Sequence, residues 1–147
     1  MSMVDITSKP ESYREATARG RIKLKAETVK RIREGRVEKG DPIYAARIAG
    51  IMAAKNTSSI IPLCHPIPLT NIKVEIKVSG PDVIEVESTV KTKAQTGVEM
   101  EALLATSVAL LTIWDMTKQY EKDPAGQYPH TVIEEIRVIR KVKEQPR

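Results

Sequence analysis

Three stretches of the chain alternate apolar and polar residues with period two, the spacing of a strand with one buried face. In "NIKVEIKVSG", residues 71–80, Ile72, Val74, Ile76 and Val78 oppose Lys73, Glu75 and Lys77. In "VIEVESTVKTK", residues 83–93, Ile84, Val86 and Val90 oppose Glu85, Glu87 and Lys91. Gly80-Pro81-Asp82 between the two is hairpin chemistry. "ATARGRIKLK", residues 16–25, sets Arg19, Arg21, Lys23 and Lys25 against Ile22 and Leu24, which predicts a strand with one solvated basic face. "TVIEEIRVIRKVK", residues 131–143, predicts a last strand with Val132, Ile136 and Val138 among its charges.

Between these stretches the spacing becomes helical. "AETVKRIREG" places Val29 and Ile32 on one side and stops at Gly35, a residue favoured just past a helix end. "KGDPIYAARIAGIMAAKN" starts sharply, with Asp41 able to cap free N–H groups and Pro42 suited to the first helical position. Ile43, Ala46, Ile51 and Ala54 form its buried side, and it should end near Asn56. "TGVEMEALLATSVALLTIWDMTK", residues 96–118, is apolar nearly all round. Met100, Leu103, Leu110, Leu111 and Trp114 fall on one side, suited to a sheet; Ala102, Ala105, Thr106 and Ala109 fall opposite, suited to another helix. Such a helix has no face for water and is expected to be covered on both sides, with help from a second subunit.

The order of strand, one or two helices, hairpin, long helix and strand matches a ferredoxin-like α+β fold, an antiparallel sheet with helices packed on one face. Residues 1–147 are enough for one domain with its own core. No internal repeat is visible, and "KEQPR" at the end reads as a loose terminus.

Composition changes this picture modestly. Phe is absent and aromatics are 3% of the chain, so the core must be aliphatic. The net charge of +5 favours anionic partners without choosing among them. One cysteine, Cys64, excludes an internal disulfide, and with two histidines it leaves too few soft ligands for a typical zinc site; a reducing cytoplasm suits it. "MSMVDITSKPESYREA" has no apolar signal segment, and residues 102–114 are shorter than the roughly 20 a membrane span needs. A soluble, unprocessed protein with no membrane partner is expected.

Three stretches can carry chemistry. On the long helix Glu101 and Asp115 lie within about 40° of one side but roughly 21 Å apart along the axis. Both can touch one small ligand only if an antiparallel copy of the helix comes from another protomer. Alternatively, Thr96 and Glu99 form a capping box, and Asp115 and Lys118 a simple helical ion pair. Asp115 sits against the helix dipole, which favours a task for it. In "SSIIPLCHPIPL", Pro62, Pro66 and Pro68 stiffen the path around His65, which is either a histidine bonded to a carbonyl or a held imidazole able to move protons. Cys64 reads as a small hydrophobe rather than a nucleophile. In "GRVEKGDP", Lys39 stands before a helix N-terminus, where a phosphate could sit, and Arg14, Arg47 and Lys55 could extend the seat. His130 follows Pro129 in a loop and is given no role.

Taken together, "MVDITSKPESYREA", "KGDPIYAARIAGIMAAK", "IPLCHPIPLT" and "TGVEMEALLATSVALLTIWDMTK", in this order and spacing, closely resemble the cyclic pyranopterin monophosphate synthases, the molybdenum cofactor biosynthesis protein C family. The resemblance covers nearly the whole chain. It implies a homo-oligomer, a hexamer of three dimers, with active sites at subunit interfaces. It implies an enzyme of the lyase type that rearranges a cyclised dihydro-GTP to cyclic pyranopterin monophosphate and releases pyrophosphate. By motif the catalytic aspartate falls on Asp115 and the functional lysines on Lys118 and Lys39. The substrate-contacting segments fall on Leu63-Cys64-His65 and Met100-Glu101, with Glu99 beside them, and Arg14 matches a position near the triphosphate.

These residue types suit the reaction. Proton transfers need His65, Asp115 and the glutamates, and a leaving pyrophosphate needs cations such as Lys39, Arg14 and Lys118. A lysine used as acid or base needs a pKa below its usual ~10.4, which crowding with other cations would supply. No metal or other cofactor is required by any motif, although magnesium could accompany the triphosphate. Many family members end in a Gly- and Lys-rich tail; this chain ends "RVIRKVKEQPR", where Lys141 or Lys143 could stand in. A nucleic-acid-binding ferredoxin-like module is disfavoured, because the hairpin strands carry no aromatics on which bases could stack. A regulatory domain that only binds a nucleotide is the remaining alternative.

Overall fold

The computed structural model describes residues 1–144. Its elements are β1 (Ser12–Lys23), α1 (Ala26–Arg33), α2 (Pro42–Lys55), the short α3 (Thr57–Ile60), β2 (Leu69–Val78), β3 (Val83–Ala94), α4 (Glu99–Glu121) and β4 (Val132–Glu144). The strands form one antiparallel sheet in the order β2-β3-β1-β4, the ferredoxin-like arrangement expected from the spacing, with the helices on one side. Local chemistry sets the boundaries. Asp41 Oδ1 accepts the Ile43 and Tyr44 N–H groups at 3.0 and 3.3 Å, with Pro42 opening α2. Gly35, at φ 68°, ends the α1 region in a left-handed conformation, and the Arg36 N–H returns to the Arg31 carbonyl at 2.8 Å.

The inner face of the sheet is aliphatic. Ala16, Ala18 and Ile22 of β1 and Ile84, Val86 and Val90 of β3 are buried against Ala102, Ala105, Ala109, Leu110 and Ile113 of α4. The outer face is charged, but β1 does not present a purely basic stripe: Arg19 faces Glu87 at 3.9 Å and Arg21 meets Glu134 at 2.9 Å. Exposed pairs of this kind contribute only about 0–1 kcal/mol each. They neutralise the face more than they stabilise it.

α4 follows the size-based expectation against α2 but not against the sheet, where small residues also face inward. Its small side is the one that turns inward: Thr106 Oγ1 lies 3.4 Å from the Ala18 carbonyl, and a Cβ added at Gly50 of α2 would stand 3.0 Å from the Ala105 carbonyl oxygen. Large residues there would hold the helix away from both neighbours. Leu110 alone of the large set is fully buried, in the gap over Gly20, while Met100 and Leu111 are 43% and 57% exposed and Trp114 packs on Tyr128, centroids 5.2 Å apart. The helix is long and apolar enough to cross a membrane, yet it packs here as the central core helix.

β4 departs from strict alternation twice. Arg19 and Arg21 pair with Arg137 and Glu134, so an extra residue lies between, where Glu135 takes the left-handed φ of 60°. Ile133, opposite buried Ile22, therefore takes the inner position at this end of the strand, and Val132 is exposed. Ile136 and Val138 turn to the helix side, over Gly20 and opposite Ala18. A second slip, between Thr17 and Ala18, places Lys141 opposite inward-facing Ala16. Lys143 and Glu144 belong to β4 rather than to a loose end, and residues 145–147 lie outside the described residues.

Glu121, the last residue of α4, is fully buried. Its carboxylate accepts the Lys25 N–H at 3.1 and 3.2 Å, the Thr131 hydroxyl at 2.7 Å and the Thr28 hydroxyl, so it caps α1 from outside and ties α4 to the start of β4. Glu121→Ala would leave three donors without their acceptor. A loss of about 3 kcal/mol or more is expected, read as an earlier midpoint in urea unfolding; an unchanged midpoint would show that these bonds contribute nothing net.

Candidate active site

α2 and α4 lie antiparallel, so the chain before α2 reaches the end of α4, and the chain after α3 reaches its beginning. This crossing gathers the candidate residues into two groups rather than one.

The first group stands at the end of α4. Lys39 Nζ is 3.0 Å from the Asp115 carbonyl oxygen and 3.3 Å from Asp115 Oδ2, and Lys118 Nζ is 3.6 Å from Oδ1. The hydrogen bond and charge of Lys39, aided by Lys118, hold the Asp115 carboxyl below the usual carboxylate range. Both lysines and the aspartate remain substantially exposed, so a ligand can reach them. The phosphate seat expected before α2 takes a different form. Asp41 already occupies the first N–H groups of that helix, and Lys39 turns to Asp115 instead. Arg47 donates to the Val74 carbonyl at 3.3 Å, Lys55 is at the far end of α2, and Arg14 lies on the inner face of β1 beside the second group.

That second group surrounds a cavity of about 330 Å³ at the start of α4, lined by Leu63, Cys64, His65, Glu99, Met100 and Glu101 together with Ile61, Ile67, Thr96 and Gly97. His65 Nε2 lies 2.7 Å from the Val4 carbonyl oxygen. A carbonyl only accepts, so Nε2 carries the hydrogen, and in the neutral tautomer Nδ1 is the acceptor. Of the two expectations for His65, the bond to a carbonyl is present, and that bond holds the ring. Burial pushes the Cys64 thiol up, with the Glu101 carboxylate 3.8 Å away, which suits an unreactive side chain.

The two glutamates differ. Glu99 does not cap α4: the N-cap is Val98 with no side-chain bond, and Thr96 lies outside the helix, so the capping box is absent. Burial would raise the Glu99 carboxyl, but Lys141 at 2.6 Å, its own amide and the charge of Arg14 outweigh this and lower it. Strict alternation would aim Lys141 outward; the second slip in β4 turns it to Glu99. Glu101 is 3% exposed, and its Oε1 has no partner among the described residues. Burial raises its carboxyl above the usual 4.5. Arg14 is 5% exposed; it donates to the Gln95 carbonyl at 3.3 Å, and its buried Nε also lacks a partner.

The Glu101 shift has a definite sign. The folded chain keeps a proton that the unfolded chain releases, so this contribution is complete below pH 4.5 and is lost as pH rises through the folded value. Thermal melts from pH 4 to 8 should show wild type losing ground to Glu101→Gln as pH rises. Parallel curves would remove the argument.

Within one chain the two groups stay apart. Fourteen residues at 1.5 Å each separate Glu101 and Asp115 by about 21 Å. Tyr44, Ile48 and Met52 of α2 and Met100 and Leu111 of α4 are exposed. A larger groove of about 560 Å³, lined in part by Lys23, Lys25 and His130, contains none of the candidate residues.

The model of the MoaC family matches residues 3–144. The chain is 59% identical over 145 residues to a probable cyclic pyranopterin monophosphate synthase of Pyrococcus furiosus, covering 99% of this chain and 92% of the relative. It is 57% identical over 143 residues to the protein of that name from Saccharolobus solfataricus, covering 97% and 95%. The corresponding figures for Methanococcoides burtonii are 57% over 143 residues, covering 97% and 89%.

Proposed function

This chain belongs to the MoaC family, and on that footing we propose that it is a cyclic pyranopterin monophosphate synthase of molybdenum cofactor biosynthesis. It takes 3',8-cyclo-7,8-dihydroguanosine 5'-triphosphate and forms cyclic pyranopterin monophosphate with release of pyrophosphate. Beyond the relatives' names, the observation that carries the reading is the pair of exposed lysines around Asp115, an arrangement that fits an anionic substrate whose charge shifts during reaction.

In this reading Lys39 and Lys118 neutralise the departing pyrophosphate and take part in proton transfer with Asp115. His65 offers Nδ1 as a proton acceptor, and Arg14 and Lys141 supply positive charge beside Glu99. Leu63, Cys64, Met100 and Glu101 shape the cavity that receives the base. The two groups meet across an interface: the end of α4 in one protomer completes the start of α4 in its neighbour, within a hexamer of three dimers. The exposed apolar residues of α2 and α4 support such a contact. Each chain acts as one domain, in the cytoplasm, where Cys64 stays reduced. Among the described residues no three His, Cys, Asp or Glu side chains converge as a metal site, and magnesium, where used, arrives on the triphosphate.

Incubating the protein with the cyclised dihydro-GTP and measuring pterin product and pyrophosphate together is the test. Equimolar formation of both is expected. Tight binding without either product would replace the enzyme by a nucleotide-binding regulator.

A further inference from the structure

The turn that carries Lys39 is secured by side chains outside the motifs of the site. Its own closure is local: the Gly40 N–H donates to the Val37 carbonyl at 3.1 Å, Gly40 has φ 123°, and Val37 is buried. Two further ties come from the last turn of α4. The Glu38 N–H donates to the Tyr120 hydroxyl oxygen at 2.9 Å, and Gln119 Nε2 donates to the Glu38 carboxylate at 3.1 Å. The Tyr120 ring is itself held by the Arg31 guanidinium, 4.5 Å from its centroid.

A lysine ammonium on four flexible bonds cannot fix its own position; its backbone must be placed for it. Here the helix that bears Asp115 and Lys118 also bears the anchor for the residue next to Lys39. We propose that Tyr120 is a positioning residue for Lys39: by accepting the Glu38 N–H, its hydroxyl sets where the Lys39 ammonium stands relative to Asp115. The effect on turnover rests on the synthase reading. The effect on the Lys39–Asp115 pair rests on geometry alone.

Tyr120→Phe keeps the ring and its Arg31 contact and removes only the acceptor. The expected result is a fall in kcat of about tenfold, with KM within about twofold, because displacements near 1 Å in a catalytic group cost up to about a hundredfold. At the same time the Asp115 carboxyl, followed by NMR, should titrate higher than in wild type, and adding Tyr120→Phe to Lys39→Ala should move it no further. Gln119→Ala should act in the same direction but less. Identical Asp115 titration in wild type and Tyr120→Phe overturns the proposal, and so does a shifted titration with unchanged kcat. If wild type forms no pterin, the synthase reading fails, while the Asp115 titration still decides whether Tyr120 places Lys39.

Discussion

Lys118→Ala is expected to lower pterin formation by about a thousandfold, with no measurable change in fold, and Lys39→Ala to do the same. The structural cost is small because both ammonium groups are exposed and their pairs with Asp115 are surface pairs, worth about 0–1 kcal/mol. The catalytic cost is large because a positioned acid or base and a charge aimed at a leaving group each contribute roughly 10²–10⁴ in rate. Circular dichroism and melting curves establish the intact fold, and pyrophosphate release measures the rate. Lys118→Arg divides the two roles, since arginine keeps the charge but does not give up a proton near neutrality. Near-normal product formation by either alanine variant would take that lysine out of the mechanism.

Asp115→Ala and Glu101→Gln should each be close to inactive as pure proteins, yet a mixture refolded together should recover about a quarter of wild-type activity. The fraction follows from an isologous pair: half of the pairs formed at random contain one of each variant, and each such pair holds one doubly damaged and one undamaged site. The basis is the length of α4, which keeps Asp115 and Glu101 about 21 Å apart within one chain. Activity of the mixture no greater than the sum of the two variants would place a whole site within one protomer. A fully active monomer at high dilution would have the same meaning.

Much of the molecule was legible from local pattern. Alternation located β2 and β3, Asp41 and Pro42 located the start of α2, and Gly35 marked the end of the α1 region. These features depend on neighbours a few residues away, where chain geometry and capping chemistry act directly. The motifs around Asp115, His65 and Glu101 identified the family for a related reason: unusual residues at short spacing carry their own signature.

The remainder depended on pairings between distant parts of the chain. Nothing local signals that the small side of α4 packs inward, because that follows from how closely its backbone approaches Gly20 and Gly50. Thr96 and Glu99 have capping-box spacing, but Glu99 is drawn to Lys141, 42 positions further on and turned inward by a slip against β1. Lys39 reads as a phosphate ligand at a helix start, until Asp41 fills that start and α4 offers Asp115 instead. The sequence by itself determined which elements form and which residues are candidates for chemistry, since propensity and pattern are short-range. Only the tertiary structure decided which side chains meet and that they meet in two separate groups, because ion pairs and close packing are set by strand register and helix crossing.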